Sequence, residues 1–351
     1  MVLGAGASRG AEFIEEPPDD GTPPLCLPPL NADFFTQLQR ITTGRHQATV
    51  DAVLKDVLEL HGTNFSLTLE EYFTQIEAML LTARLSQKAA EGFSTRDLMK
   101  RRTNLLEALS AVLEESADVA KSRSLARRHP CSYHAALVDA LAQRDTIISF
   151  NYDCIVDHAL RTASDGKWSA KHGYGFPKPG RVAGHEAWNS PDWVDRQNSS
   201  INLLKLHGSI NWYPFPNTDD GIIRLRERPY KQRGQKLYEI IPPEFVKSIA
   251  NRPIFPQLWS KAELALRRAS VLCFVGFSFT PTDLHVEALF RLALAANKNL
   301  KRLVVANPSP DHRRRIRSVC SGALRNGAHV VQFETLREFA PHMRDLLTGG
   351  A

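Results

Sequence analysis

The alternation of apolar runs with amphipathic stretches restricts the fold of this chain more than any other feature. Apolar runs of strand length lie at Met1–Leu3, Thr146–Phe150, Ile201–Leu206, Val271–Val275, Leu303–Val305 and Val330–Phe333. Stretches with helical periodicity follow three of them, at Cys154–Leu160, Asp283–Ala296 and Asp311–Val319. Strands that alternate with helices form parallel sheets, because each crossover needs a connection of helix size. The sequence therefore predicts an α/β fold with a Rossmann-like parallel sheet and helices on both faces.

Residues 31–129 interrupt this alternation, because they carry helical periodicity alone. Apolar side chains recur every three or four positions in Leu67–Leu85 and in Leu98–Val119, and Asn31 is placed to cap a helix that precedes them. We therefore predict an all-helical insertion at 31–129, within a core made of residues 1–30 and 130–351. The Pro- and acid-rich segment 15–29 is predicted to be a long loop that closes over a site as a lid.

Composition excludes several protein classes. The closest pair of the five cysteines, Cys131 and Cys154, is 23 residues apart, so no zinc ribbon or CxxC redox motif is present. An odd, scattered set of cysteines is typical of reduced thiols in a cytosol. A net charge of +6 permits an anionic partner without requiring one. We expect a cytoplasmic protein without a membrane partner, since neither a signal peptide nor an apolar span is evident.

Polar motifs follow the predicted strands at the points where parallel sheets bind ligands. They are Gly4-Ala5-Gly6-Ala7-Ser8, Asn151-Tyr152-Asp153, His207-Gly208-Ser209, Gly276-Phe277-Ser278 and Asn307. Taken singly, each has an ordinary structural explanation: a tight turn, a helix cap or a structural histidine. Independent turns would seldom fall in this order and sheet context, so the co-occurrence of the five motifs indicates a ligand site.

In this order, the segments GAGAS, SFNYD, LKLHGS, VGFSFTPTD and VVANP resemble the sirtuin superfamily. They are more similar to the sirtuin-like NAD-hydrolase domains of bacterial anti-phage defence systems, which also carry a helical insertion after the first motif. The resemblance covers nearly all of the chain. It is specific for an NAD site and less specific for a reaction.

The resemblance implies that NAD⁺ is the substrate and lies across the strand ends. The residues that would bind it are Gly4, Ala5, Gly6 and Ser8 at the diphosphate, Gly276 and Ser278 on the adenosine side, and Asn307 at the adenosine ribose. Asn151 would lie beside the nicotinamide ribose and place the attacking water. His207 would accept a proton from the ribose hydroxyl or the water, and Asp153 would orient the nicotinamide amide or brace Asn151.

The chain departs from the deacylase sirtuins, which hold a structural zinc with two close cysteine pairs. Because this sequence has no such pairs, we expect no zinc and no other metal, and deacylation becomes the less favoured reaction. The preferred function is an NAD⁺ hydrolase that cleaves NAD⁺ to nicotinamide and ADP-ribose. Two alternatives stay open: an NAD-dependent protein deacylase or ADP-ribosyltransferase, and a catalytically silent scaffold that binds NAD or ADP-ribose in a defence complex.

An NAD⁺ hydrolase that acts in abortive infection needs to be held inactive until it is triggered. We therefore expect a homo-oligomer, a regulatory partner protein encoded nearby, such as an ATPase or an Argonaute-like sensor, or both. Two basic clusters, at residues 96–102 and 313–317, are interpreted as solvated helix faces. Nucleic acid is accordingly expected as an indirect partner at most.

Overall fold

A six-stranded parallel sheet forms the centre of the computed structural model. The structure describes residues 1–12, 25–85, 92–122, 131–182, 200–214, 222–225, 238–243, 254–280 and 283–348. The strands are β1 (Val2–Leu3), β2 (Thr146–Ser149), β3 (Arg181–Val182), β4 (Asn202–Lys205), β5 (Trp212–Pro214), β6 (Ile223–Leu225), β7 (Val271–Val275), β8 (Arg302–Ala306) and β9 (His329–Phe333). The main sheet has the order β4-β2-β1-β7-β8-β9, and a second sheet has the order β3-β6-β5.

The strand order of the main sheet places a topological switch point between β1 and β7. Val2 lies in register with Ile148 of β2 on one side and with Phe274 of β7 on the other. From β1 the chain builds outward first through β2 and β4, and later in the opposite direction through β7, β8 and β9. In chain order this is the 3-2-1-4-5-6 arrangement of dinucleotide-binding sheets, which bind ligands at the switch point. The predicted α/β, Rossmann-like fold is confirmed.

Helices surround this sheet. They are α1 (Ala5–Arg9), α2 (Phe34–Gln39), α3 (Gln47–His61), α4 (Leu69–Leu85), α5 (Thr95–Ser122), α6 (Ser132–Asp139), α7 (Ile155–Ala163), α8 (Ala170–Gly173), α9 (Ile254–Arg268), α10 (Leu284–Ala295), α11 (Pro310–Val319), α12 (Ser321–Leu324), α13 (Leu336–Phe339) and α14 (Met343–Thr348). Short 3₁₀ turns at Asn31–Asp33, Gly44–His46 and Ala340–His342 connect some of them. The apolar faces of α7, α9 and α10 are buried in the same core as the strands, which explains the helical periodicity between strands.

The helices α2 to α5 lie between β1 and β2 along the chain and have a core of their own. This core extends into residues that follow β2 and β4, namely Cys154, Ile210, Tyr213, Tyr238 and Ile240. Ser110 of α5 also donates a hydrogen bond to the Tyr238 hydroxyl at 2.8 Å. The helical region is therefore packed against the carboxyl edge of the sheet, where the sequence motifs lie. The boundaries at residues 31 and 129 stay a prediction.

Asn31 does not cap α2 as the sequence predicted. Its Oδ1 accepts the backbone N–H of Glu70 at 3.1 Å, and its Nδ2 donates to Oε2 of Glu70 at 3.3 Å. Asn31 thus bonds to the first turn of α4, which begins at Leu69. The prediction was wrong because a capping residue can serve a helix that is distant in sequence, and periodicity does not show which helix that is.

The basic cluster at residues 96–102 is only partly a solvated face. Arg101 is 9% exposed and pairs with Asp56 at 3.1 Å and with Glu59 at 3.0 Å. Its guanidinium carbon also lies 4.8 Å from the ring centroid of Phe93. Arg101 therefore ties α5 to α3, and the expectation of a solvated face was wrong at this position. In the other cluster, Arg314 and Arg315 are exposed, as expected.

The predicted lid at 15–29 falls mostly on residues 13–24, which lie outside the described residues. The lid stays a prediction. Among the helices that the structure describes, none has the length and apolar character that a membrane crossing requires.

Candidate active site

Two glycine motifs interlock at the switch point between β1 and β7. The N–H of Gly4 donates to the carbonyl oxygen of Val275 at 3.1 Å, and the N–H of Gly6 donates to that of Gly276 at 2.9 Å. Gly276 has a φ of +55°, and a Cβ there would lie 2.0 Å from the nitrogen of Ala7. No other residue fits, because the conformation and the contact both exclude a side chain. These glycines bring two turns together, and their predicted contact with a diphosphate stays a prediction.

Ala5 is the exposed residue of the turn after β1. Within the described part of the chain its N–H, the first of α1, donates no hydrogen bond. By contrast, the N–H groups of Gly4 and Gly6 are occupied by β7 and the turn after it. The turn therefore offers a main-chain donor at Ala5 for an anion, and the neighbouring glycines hold that donor in place.

Asn151, the second residue after β2, is buried with its amide orientation fixed. Its Nδ2 donates to the carbonyl oxygen of Gly4 at 2.9 Å and to Oγ of Ser8 at 3.0 Å. A carbonyl oxygen only accepts, so the group that faces Gly4 is the NH₂ and the other is Oδ1. Among the described residues, none donates a hydrogen bond to this Oδ1. Asn151 thus presents an oriented acceptor at the edge of the sheet.

Asp153 is connected to Asn151 through Ser8. The Ser8 hydroxyl donates to Oδ2 of Asp153 at 2.6 Å, and Oδ1 of Asp153 accepts the N–H of Ile155 at 3.0 Å. Both carboxylate oxygens therefore have donors within the protein, and one of these donors begins α7. Of the two roles that the resemblance implies for Asp153, this geometry supports the bracing of Asn151.

His207, the second residue after β4, lies one strand away from Asn151. Leu206 donates its N–H to the carbonyl oxygen of Ser149, so the segments that follow β2 and β4 stay side by side. The buried imidazole lies edge-on to Phe150, with ring centroids 5.1 Å apart, and stacks with Tyr152 at 6.3 Å. The sheet therefore brings two of the predicted catalytic residues, Asn151 and His207, to neighbouring positions on the same edge.

The backbone conformation at position 208 explains why a glycine follows His207. Its φ is +83°, and a Cβ at this position would lie 2.1 Å from the carbonyl oxygen of Glu239. The chain at 239–241 crosses here, and the N–H of Ile241 donates to the carbonyl oxygen of His207 at 2.8 Å. The backbone of His207 is held from both sides, which limits the positions open to its ring.

The predicted adenosine-side residues lie across the switch point. Ser278 is half-buried after β7, and Asn307 is buried after β8. The Nδ2 of Asn307 donates to the carbonyl oxygen of Phe277 at 2.9 Å, and its Oδ1 accepts the N–H of Ser309 at 2.9 Å. Asn307 thus joins the turns after β7 and β8. Its predicted contact with the adenosine ribose stays a prediction.

His134 was missed by the sequence reasoning. It lies on α6 with its side chain buried, and its Nδ1 has no hydrogen-bond partner among the described residues. Burial lowers its pKa to about 4, and the nearby Asp153 opposes that shift only in part. His134 is therefore a neutral imidazole near the Asp153 carboxylate at pH 7. A single histidine on a short helix gives no sequence signal that would have found it.

Residues 145–324, just over half of the chain, match a protein family described as SIR2-like domain. The chain belongs to the SIR2-like family. A search of curated proteins gave no match. The SIR2-like match runs from β2 to the end of α12 and includes Asn151, His207, Gly276 and Asn307, whereas the glycine turn after β1 lies outside it.

A SIR2-like domain implies an NAD-related function and the binding of NAD. The observed strand order agrees, because the switch point of such a sheet is a dinucleotide site. Within the described residues, no group of three or more His, Cys, Asp or Glu side chains is arranged to hold a metal ion. The five cysteines are all buried and unpaired.

Proposed function

We propose that this SIR2-like chain hydrolyses NAD⁺ to nicotinamide and ADP-ribose. The observation that carries the proposal is the placement of Asn151 and His207 at the ends of β2 and β4, next to the Gly4–Ser8 turn. An oriented amide oxygen and an imidazole then share the edge of a dinucleotide-binding sheet. That pair of groups suits the positioning of a water and the acceptance of a proton.

In this proposal the dinucleotide spans the switch point. The diphosphate lies at the turn after β1, where the Ala5 N–H is a donor. The adenosine lies over the turns after β7 and β8, near Gly276, Ser278 and Asn307. The nicotinamide ribose then lies over β2 and β4, because β1 separates the two halves of the sheet.

The reaction breaks the bond between C1′ of the ribose and the pyridinium nitrogen. The electron pair of that bond goes to the nitrogen, so nicotinamide leaves as a neutral molecule and needs no general acid. The ribose develops oxocarbenium character, and water adds to C1′. Oδ1 of Asn151 accepts a hydrogen bond from the attacking water, and His207 accepts the proton that the water loses. Asp153 acts through Ser8 to hold Asn151.

We further propose that the activity depletes cellular NAD⁺ as an effector of bacterial anti-phage defence. The support is the resemblance of GAGAS, SFNYD and LKLHGS to the domains of such systems, together with the family match. In this role the protein acts in the cytoplasm and is restrained by self-association or by a regulatory partner. The packing of the helical region against the site edge would let a contact on that region influence the site.

The test is incubation of the purified protein with NAD⁺, with nicotinamide and ADP-ribose measured by chromatography. The assay is run with the protein alone and with the product of a neighbouring gene. We expect Asn151→Ala and His207→Ala each to lower kcat by about 10²-fold or more. Matched controls are Asn299→Ala and His329→Ala, which change exposed residues of the same types at the amino ends of β8 and β9, on the opposite edge of the sheet from the candidate site.

Three results would contradict the proposal. NAD⁺ consumption that requires an acylated peptide would indicate a deacylase, and transfer of labelled ADP-ribose to protein would indicate a transferase. Binding of NAD⁺ without turnover in every condition would indicate a silent scaffold. Full turnover in Asn151→Ala would remove the assigned role of that residue while leaving the hydrolase in place.

A further inference from the structure

A fully buried charged network lies directly beneath the two strand ends of the candidate site. Lys205, the last residue of β4, and Asp157 of α7 are both 0% exposed, and their side chains pair at 3.1 Å. Tyr174 donates its hydroxyl hydrogen bond to Oδ1 of Asp157, and Nδ2 of Asn211 donates to the Tyr174 hydroxyl at 3.2 Å. The network excludes solvent, so none of these side chains is positioned to contact a substrate.

The Lys205 ammonium joins the two chain segments that carry the predicted catalytic residues. It donates to the carbonyl oxygen of Asp153, which follows β2, and to Oγ of Ser209 at 2.6 Å, which follows β4. Ser209 in turn donates to the carbonyl oxygen of Tyr152 at 3.2 Å. With the Asp157 carboxylate as the third acceptor, all three N–H groups of the ammonium are used.

The charge state of Lys205 is secured by its neighbours. Burial alone would lower the pKa of its ammonium, but Asp157 and the other anionic groups around it outweigh that effect and raise the pKa. The cation is therefore present throughout the physiological pH range. Apolar residues of similar volume often replace such buried pairs without loss of stability. A role beyond stability would therefore appear as a loss of function in an apolar replacement that folds well.

We infer that Lys205, with Asp157 as its counter-ion, is a positioning residue that fixes the Asn151–Asp153 segment relative to the His207–Ser209 turn. This inference rests on the proposed function, because the fixed distance matters for a reaction that uses Asn151 and His207 together. Lys205 acts through the main chain of Asp153 and the hydroxyl of Ser209, and it contacts no reacting atom.

The test compares Lys205→Met with an apolar triple variant, Lys205→Met/Asp157→Leu/Tyr174→Phe. We expect Lys205→Met to lower the melting temperature, because Asp157 is left buried without its counter-ion. The triple variant should regain most of the melting temperature yet keep a kcat about 100-fold below wild type. Its KM for NAD⁺ should stay close to wild type, since the residues at the diphosphate and adenosine are untouched. Activity that returns together with stability would overturn the inference.

Hydrogen exchange separates this inference from the proposed hydrolase activity. In the triple variant, peptides that cover residues 150–155 and 206–211 should exchange faster than in wild type, while β8 keeps its protection. A wild-type protein without turnover would refute the proposed function, and the exchange result would still decide the positioning role. Native exchange in both peptides of a folded triple variant would overturn it.

Ser209→Ala keeps the test decisive if the triple variant does not fold. This variant removes one acceptor of the Lys205 ammonium and leaves the ion pair with Asp157 intact. We expect faster exchange at 206–211 and a smaller fall in kcat than in the triple variant. Wild-type values of both quantities would overturn the inference.

Discussion

Ser8 donates a hydrogen bond to the Asp153 carboxylate at 2.6 Å, and this contact joins the turn after β1 to the segment after β2. The same hydroxyl accepts from Nδ2 of Asn151 at 3.0 Å, so one buried serine holds both residues. Ser8→Ala removes a donor from a buried carboxylate, which costs about 1–3 kcal/mol of stability. We expect kcat for NAD⁺ cleavage to fall about 10-fold, because Asn151 loses one of its two anchors. Steady-state kinetics and thermal unfolding measure the two effects.

Ser318→Ala is the control for this variant, since Ser318 is an exposed serine of α11. It should match wild type in both measurements. A Ser8→Ala protein with wild-type kcat would show that the Ser8 link does not orient Asn151 during the reaction.

Gly276→Ala should destabilise the protein strongly. The methyl group would combine a positive φ with overlap of the Ala7 and Gly6 backbone, at a cost of about 3 kcal/mol or more. Gly327→Ala separates the two causes, because Gly327 has a φ of +82° but no atom within 4 Å of an added Cβ. That control should cost about 1 kcal/mol. Urea unfolding followed by tryptophan fluorescence measures the free energy of unfolding of both variants. Equal decreases in the two variants would show that the overlap with the Ala7 and Gly6 backbone adds nothing to the destabilisation.

His134 should make stability depend on pH below neutrality. Its pKa is lowered from 6.5 to about 4 by burial, so the unfolded chain binds a proton that the folded chain excludes. The contribution of His134 to the free energy of unfolding is fully present above pH 6.5. As the pH falls from 6.5 toward 4, this contribution decreases by about 3 kcal/mol in all. We expect His134→Gln to flatten the stability curve in this window, and His285→Gln, at an exposed histidine, to leave the curve as in wild type. An unchanged slope in His134→Gln would contradict this assignment.

The five thiols should be inert in the native protein. Burial raises the pKa of Cys273 to about 11 and those of Cys26 and Cys320 to about 12, and it also raises those of Cys131 and Cys154. Since the thiolate is the reactive form, alkylation at pH 8 should label less than one thiol per chain. All five should react in guanidinium, which provides the positive control. Rapid labelling of the native protein, counted by intact mass, would contradict the buried placement of at least one cysteine.

Periodicity was enough to predict most of the main sheet. The predicted strand Val271–Val275 is observed with the same bounds, and the helix predicted at Asp311–Val319 begins one residue earlier. These elements are long and strongly patterned. The strands β3, β5 and β6 were not predicted, because they are short and, unlike the equally short β1, are not followed by a glycine motif. The strand order could not be predicted from the sequence either, since it depends on pairings such as Val2 with Phe274 that local sequence does not encode.

The candidate site was predictable where it consists of polar residues at strand ends. Asn151 and His207 stood out because polar groups follow apolar strands there, and the structure brings them to adjacent positions. In the sequence, Lys205 is notable only as a lone charge in the run Leu203–Leu206. Its role could not be predicted, because it depends on the ion pair with Asp157 of α7. Sequence alone also suggested that the glycines face a phosphate, which stays a prediction, but it did not indicate that Gly6 and Gly276 contact each other.

The strand β1 lies in the middle of the main sheet, between β2 and β7, and neither neighbour is close to it in sequence. Val2 pairs with Ile148 and with Phe274, so both neighbours of β1 come from segments that are distant from it along the chain. Sheets closed by such distant contacts form slowly, because the intervening chain must first be ordered. Partly folded states in which either pairing is missing therefore lack the complete sheet edge at which the polar motifs meet.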